Sequence, residues 1–498
     1  MKKVNFFKIT QSIKEMKSHI SILHISDLHK AVNDNYQNLM VSLKYDCEKY
    51  TQHENIKKPD IVVVSGDIIK GGSDNEIAQQ YSESTAFLTD VVNYFLDGNK
   101  ERIIIIPGNH DIDWNVSKSS MRKIELDLDR ESIVKYYLSG SSKYRWSWNE
   151  LCFYQISDKQ MYNNRFGHFI EFYNSFYDGD RNFSTNTDEQ YQIYDYPEFN
   201  ISFIAFNSCY ENDHLNYAGK INPTCITKAS GNLRILHEKG RLLIAVWHHN
   251  TSGQPFENNY LDRRILGAMI DQNIMIGLHG HQHVCGIVNE FKSVFDEKKI
   301  VILSSGTLYG YKESLPHGSS RQYNIIEIKN TEEEQRRQYK ITVHSREDVD
   351  NDLFEIPQWN KGRIDKTHNS SWSTMIDQPM VHDIRISLSK IMEEAERTGD
   401  FNSAVKELKY LNLKDLSVRK VLVDYLDKIQ DNGLTCELLM EPQNNEESII
   451  LMNSASEIGD TTLIEKVLKI PIIKDSEDAS IKKIRQYLNF QLTNYGTN

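Results

Sequence analysis

Five short stretches of this chain concentrate side chains that bind divalent metal ions. "SDLH" carries Asp27 and His29, "SGD" Asp67, "PGNHD" Asn109, His110 and Asp111, "VWHHN" His248 and His249, and "LHGHQH" His279, His281 and His283. Carboxylate, imidazole and amide donors in this mixture suit borderline-hard ions such as Mn²⁺, Fe²⁺ or Zn²⁺. The absence of cysteine from the set argues against a structural zinc site.

Each stretch follows directly on a short apolar run, and these runs must position it. "ISILHIS" (20–26), "DIVVVSG" (60–66), "RIIIIPG" (102–108), "ISFIAFNS" (201–208), "RLLIAVWHH" (241–249), "IMIGLHG" (274–280), "KIVILSSG" (299–306), "YNIIEIK" (323–329) and "KITVHS" (340–345) read as strands buried on both faces. Helical spacing at 38–50 and 77–96 separates the first three, so the opening reads β-α-β-α-β and the fold class is α/β. Ligands of such sheets collect outside the carboxyl ends of strands, where all five stretches can converge on one crevice.

Residues 115–200 form an aromatic-rich insertion. Two readings stand for it: a cap whose rings stack on a base, or a small helical subdomain with its own core. Residues 347–381 read as a linker, and 382–498 as an all-α C-terminal domain after a first domain of 1–346. The stretches 395–409 and 455–469 resemble each other, with Gly-Asp pairs at Gly399 and Gly459, as in stacked helical hairpins or a plain bundle.

Composition bounds the function. A net charge of −12 disfavours salt-driven binding to polyanions, so a nucleic acid contact needs metal ions, a local groove or a partner. Six scattered cysteines without a C-x-x-C pair fit reduced thiols and a cytoplasmic location. The N-terminal segment has no leader-like apolar region, and no run is long enough to span a membrane.

The ordered series D-x-H, G-D, G-N-H-D, H, G-H-x-H resembles the calcineurin-like metallophosphoesterases over roughly residues 20–345. The resemblance implies a four-layer α/β/β/α sandwich and a centre of two divalent ions. Mn²⁺ is the expected metal, with Fe, Zn, Ni and Mg as alternatives. It implies that Asp27, His29 and His283 bind the first ion, Asn109, His248 and His281 the second, and that Asp67 bridges them. His110 is implied as the histidine that contacts the phosphate and assists the leaving group. "HH" offers two candidates, and the pattern favours His248 over His249. His249, His279, Asp111 and Asn207 are expected to support the ligands, and His24 to be a packed core histidine. Asp113 and Trp114 either line the mouth or pack beside it, and His168 and Arg165 are placed as candidate phosphate contacts by composition alone.

The resemblance implies hydrolysis of a phosphate ester by a hydroxide activated between two metals. The texts "GDIIKGG" and "PGNHD" lack the arginines that mark the Ser/Thr protein phosphatases of this superfamily. A phosphodiesterase acting on nucleic acid is therefore expected, resembling bacterial modules with helical extensions, some of which act against foreign nucleic acid. A cyclic or small-nucleotide phosphodiesterase and a partner-binding scaffold are the alternatives. The C-terminal domain is expected to dock a protein partner or to self-associate.

Overall fold

The structure is a computed structural model of the 498-residue chain. It describes residues 17–31, 36–124, 130–138, 143–252, 259–292, 299–310, 315, 318–333, 336–349, 356–365, 369–378, 384–409, 413 and 416–495. Residues 1–16, read above for a leader, lie outside the described residues, as do 350–355, 366–368 and 379–381 of the expected linker. The chain divides into two compact units, residues 1–381 and 382–498.

The first unit opens with β1 (His19–Ile25), α1 (Tyr36–His53), β2 (Ile61–Val64), α2 (Asp74–Phe95) and β3 (Ile103–Ile105). The three strands pair in parallel. An insertion follows: α3 (Trp114–Ser119), β4 (Met121–Lys123), α4 (Arg130–Leu138), β5 (Tyr144–Ser147), β6 (Cys152–Ile156), α5 (Lys159–Asn163) and α6 (Gly167–Phe176). A second sheet is built from β7 (Tyr191–Tyr196), β8 (Ile201–Phe206), α7 (Pro223–Glu238), β9 (Leu242–Val246), α8 (Arg263–Asp271), β10 (Ile274–His279), β11 (Gly286–Lys292) and β12 (Lys299–Ser304). The chain then returns to the first sheet with β13 (Gln322–Glu333), β14 (Arg336–Asp348), β15 (Trp359–Lys361) and β16 (Ser371–Gln378).

The strand orders are β15-β14-β13-β1-β2-β3, with β16 also on β14, and β11-β12-β10-β9-β8-β7. Because successive side chains of a strand point to opposite faces, each continuous apolar run feeds two cores at once. Ile20 and Ile22 of β1, Phe203 of β8 and Leu242, Ile244 and Val246 of β9 meet in one core between the sheets. The intervening Leu23 and Ile25 pack beneath α1 and α2, and Leu243 and Ala245 beneath α7 and α8. The layers are therefore α/β/β/α. A buried ion pair fastens α1 to β14: Arg346 grips Asp46, which also accepts a hydrogen bond from Tyr323 Oη.

Two expectations need correction. The segment 347–381 is not simply linker, since it supplies β15 and β16. Trp372 and Ile376 of β16 pack against the inter-sheet core, while Ser371, Ser373, Met375 and Asp377 alternate with them, and this polar half hid the strand in the sequence. The insertion is not an independent helical subdomain either. Its β4, β6 and β5 form a small antiparallel sheet, and Phe169, Phe172, Tyr173 and Phe176 of α6 join the core beneath the first sheet. β7, within the expected 115–200 span, is an edge strand of the second sheet.

The second unit is all helical: α9 (Ile384–Thr398), α10 (Phe401–Leu408), α11 (Leu416–Ile429), α12 (Asn432–Leu438), α13 (Asn445–Ile458), α14 (Thr461–Leu468), α15 (Pro471–Lys474) and α16 (Ala479–Tyr495). The repeated Gly-Asp text has a mechanical reason. Gly399 and Gly459 adopt left-handed backbone (φ 72° and 70°) just after α9 and α13, and Asp400 and Asp460 cap the next helices. No helix among the described residues is long and apolar enough to cross a membrane.

Candidate metal centre

The five motifs meet because they follow the carboxyl ends of β1, β2, β3, β9 and β10, which run parallel within their sheets. After β1, β2 and β10 the backbone turns sharply. Asp27, His29, Asp67, His281 and His283 all have positive φ, between 45° and 69°, a conformation that costs a non-glycine residue on the order of 1 kcal/mol or more. Five strained residues at the carboxyl ends of three strands mark a site whose geometry is worth that cost.

Three side chains gather on one side. His283 Nε2 is 3.2 Å and His29 Nε2 3.7 Å from Asp27 Oδ1, and the two imidazole nitrogens are 3.2 Å apart. On the other side His248 Nε2 and His281 Nδ1 lie 3.0 and 2.9 Å from Asn109 Oδ1. Asp67 stands between them, with Oδ2 3.8 Å from His29 Nε2 and 3.3 Å from His248 Nε2.

These donors fit a pair of cations. The ion pairs seen for Asp27 and Asp67 among the described residues are all with imidazoles, so two fully buried carboxylates meet no Lys or Arg. Asp27 Oδ1 and His281 Nε2 are buried without a hydrogen-bond partner. His248 Nδ1 faces the Ser65 carbonyl at 2.8 Å; a carbonyl only accepts, so the proton sits on Nδ1 and Nε2 presents its lone pair to the site. Burial opposes charge on His248, yet the adjacent Asp67 carboxylate raises its pKa to about 9, the direction that negative charge crowded at the site produces. Burial holds His281 down at about 3, a neutral donor.

The neighbouring residues hold this arrangement. The Asp111 carboxylate accepts from the amides of Ile68 at 3.2 Å and Gly108 at 2.8 Å and from Tyr81 Oη at 3.1 Å, tying the loop after Asp67 to the loop before Asn109. A Cβ on Gly108 would overlap Asp67, and one on Gly280 would overlap Ser26 and Asp27, which explains two of the motif glycines. His249 spends both nitrogens on protein: Nδ1 is 2.9 Å from Ser208 Oγ and Nε2 3.4 Å from Asn212 Nδ2. His279 lies parallel to the Trp247 ring, with centroids 5.8 Å apart, and its Nδ1 is near its neighbour's carbonyl. Asn207 Oδ1 accepts from the Cys209 amide. His24, fully buried, pairs with Ser65 Oγ at 3.0 Å.

His110 stands at the edge. Its amide donates to Asp67 Oδ1 at 2.8 Å, its Nδ1 is 3.0 Å from the Lys70 carbonyl, and its ring is edge-on to His29 at 4.7 Å. Outward from it lie Trp114, on α3 whose N-terminus Asp113 caps, and Tyr217; both are partly exposed.

Arg165 is not a phosphate contact. It is fully buried and donates to the carbonyls of Asn212, Tyr162 and Tyr210. His168 Nε2 is 3.7 Å from Asp113 Oδ2, the carboxylate that caps α3. Several residues that matter here escaped the sequence reading, among them Ser65, Lys70 and Ser208, which act through carbonyls or a small hydroxyl. Arg145 escaped as well; it donates to the buried Asp213 at 2.7 Å and so anchors the loop 210–217 on the inserted sheet.

The calcineurin-like phosphoesterase family profile matches residues 20–285, more than half of the chain. No curated protein matches it in sequence. Similar solved structures include a purple acid phosphatase from yellow lupin (Lupinus luteus) seeds, with TM-score 0.38 and 11% identity over 72% of this chain and 54% of that one. The chain thus spans about half the length of that relative. A dimetal phosphatase from Danio rerio gives TM-score 0.36 and 12% identity over 66% of this chain and 96% of that one. A calcineurin-like phosphoesterase from Bacillus subtilis gives 0.26 and 13% over 72% and 91%. With its family profile matched across every motif from Asp27 to His283, the chain belongs to the calcineurin-like phosphoesterase family.

Proposed function

We propose that this protein is a metal-dependent hydrolase, a phosphodiesterase that cleaves nucleic acid with two divalent ions, Mn²⁺ foremost. The observation that carries the reading is the convergence of six donor side chains around Asp67. Asp27, His29 and His283 would hold one ion, Asn109, His248 and His281 the other, and Asp67 both. When bound, such a pair supplies a hydroxide nucleophile near neutral pH and neutralises charge on the phosphoryl oxygens.

The chain's own residues do the rest. The Ser65 carbonyl fixes the tautomer of His248, and Asp111 keeps the second and third motifs in register. His110, with its Nδ1 proton on the Lys70 carbonyl, offers Nε2 to give a proton to the departing oxygen. No covalent enzyme intermediate is required.

A second reading, a cyclic or small nucleotide as substrate, is favoured by the net charge of −12, since no excess of basic residues awaits a polymer. Hydrolysis of bis-p-nitrophenyl phosphate with Mn²⁺ tests the diesterase reading, and inactivity with every divalent ion would overturn it. Single-stranded DNA, duplex DNA, RNA and cyclic nucleotides then separate polymer from small nucleotide. The six free, buried cysteines support a reducing compartment, the cytoplasm. Docking of a partner or a second copy through 382–498 is tested by comparing the association state of the full chain with that of 1–381; an unchanged state and unchanged partner capture would overturn it.

A further inference from the structure

Most of the aromatic side chains near the insertion are consumed by packing, but two beside the metal centre are not. Trp114 is 37% exposed and Tyr217 48% exposed. Their rings continue a row that starts at His110: Trp114 lies 6.2 Å from His110, tilted by 32°, and Tyr217 lies 5.9 Å from Trp114. An exposed aromatic ring loses contact area that burial would have recovered, so two together at the mouth of a reaction site call for an explanation.

Both rings are held in place. Trp114 opens α3, which Asp113 caps through the amides of Asn115 and Val116. The loop bearing Tyr217 is tied to the same helix, because His214 Nδ1 is 3.1 Å from Ser117 Oγ and Tyr217 Oη donates to the His214 carbonyl. From behind, Arg145 and Tyr162 converge on the buried Asp213 at 2.7 and 2.8 Å. Ordering the rings in advance lowers the entropy that a ligand must pay to stack on them.

The geometry points to a nucleobase-stacking subsite formed by Trp114 and Tyr217, which receives the base next to the scissile phosphate. This inference rests on the phosphodiesterase reading and adds a substrate class to it. Stacking tolerates any base, because each has a π-face, and it needs no positive charge, which suits a chain of net charge −12. The subsite would thus select esters that carry a nucleoside over esters of simple alcohols.

The test compares thymidine 5′-(p-nitrophenyl phosphate) with methyl p-nitrophenyl phosphate on the Mn²⁺-loaded 498-residue protein; the two share a leaving group, and only the first carries a nucleoside. The nucleoside ester should have the higher kcat/KM. Trp114→Ala should cut that preference about tenfold through KM, and Trp114→Phe should restore most of it. A preference unchanged in Trp114→Ala, or no preference in the native protein while both esters turn over, overturns the subsite and leaves the diesterase reading intact. If neither ester turns over, the diesterase reading fails and binding decides the subsite. Thymidine monophosphate should quench tryptophan fluorescence in the native protein and not in Trp114→Phe; equal quenching in both, or none in either, overturns it.

Discussion

The carbonyl of Ser65, at the end of β2, accepts a hydrogen bond from Nδ1 of His248, at the end of β9 in the opposite sheet, across 2.8 Å. This one bond joins the two halves of the sandwich at the centre and decides which imidazole nitrogen faces it. Metal-ligating histidines commonly donate their second ring proton to a carbonyl in this way.

Metal removal should therefore be felt by the whole first unit. An ion that binds only the folded chain stabilises it by about 2.7 kcal/mol when present at a hundred times its dissociation constant. Chelator-treated protein should melt several degrees lower, and Mn²⁺ should restore the melting temperature; identical melting curves with and without metal would contradict the two-ion centre.

Asp67→Asn removes the negative charge of the residue between the two donor groups and leaves one of its two oxygens. Elemental analysis should find fewer than two ions per chain, and turnover should fall at least about 100-fold, the upper end of what losing a mere supporting residue costs.

His110→Asn should keep both ions and the fold while turnover falls about 10²–10⁴-fold, the usual worth of a positioned general acid. A folded, metal-loaded variant with native rates would remove His110 from the reaction.

Glu327 on β13 gives a pH-dependent test of the fold. It accepts from His344 at 3.2 Å and lies 2.9 Å from His19 on β1. Burial opposes its charge, but these partners push it down to about 2 from an ordinary 4.5. A depressed carboxylate stabilises the fold fully above its unfolded value and loses that contribution as pH falls from 4.5 through about 2. Glu327→Gln should cost roughly 1 kcal/mol near neutral pH, allowing for solvent screening, and the gap in urea midpoints should close in acid.

Arg346→Met should cost about 3–5 kcal/mol, because it strands the buried Asp46 carboxylate. Arg346→Met combined with Asp46→Leu should recover most of that in denaturant melts. Equal losses in the single and double variants would mean that the pair is not what fastens α1 to β14.

The sequence by itself determined the donors, their order and the strands that carry them. Burial on both faces forces continuous apolar runs, and polar residues must stop where the runs leave the sheet, so "ISILHIS" and "RIIIIPG" are legible with their motifs attached. It even held a signal for His248: Leu242, Ile244 and Val246 face the inter-sheet core, and the same parity carries on to His248 and away from His249. β16 escaped because half its residues face away from the core, and the insertion escaped because its aromatic residues serve two different cores. Only the tertiary structure decided that Asp111 staples two loops and that Trp114 meets Tyr217. These relationships depend on how two sheets and an insertion come into register across as many as 254 positions of sequence, as with His29 and His283. Side-chain type and local spacing do not encode that register; packing between the layers does.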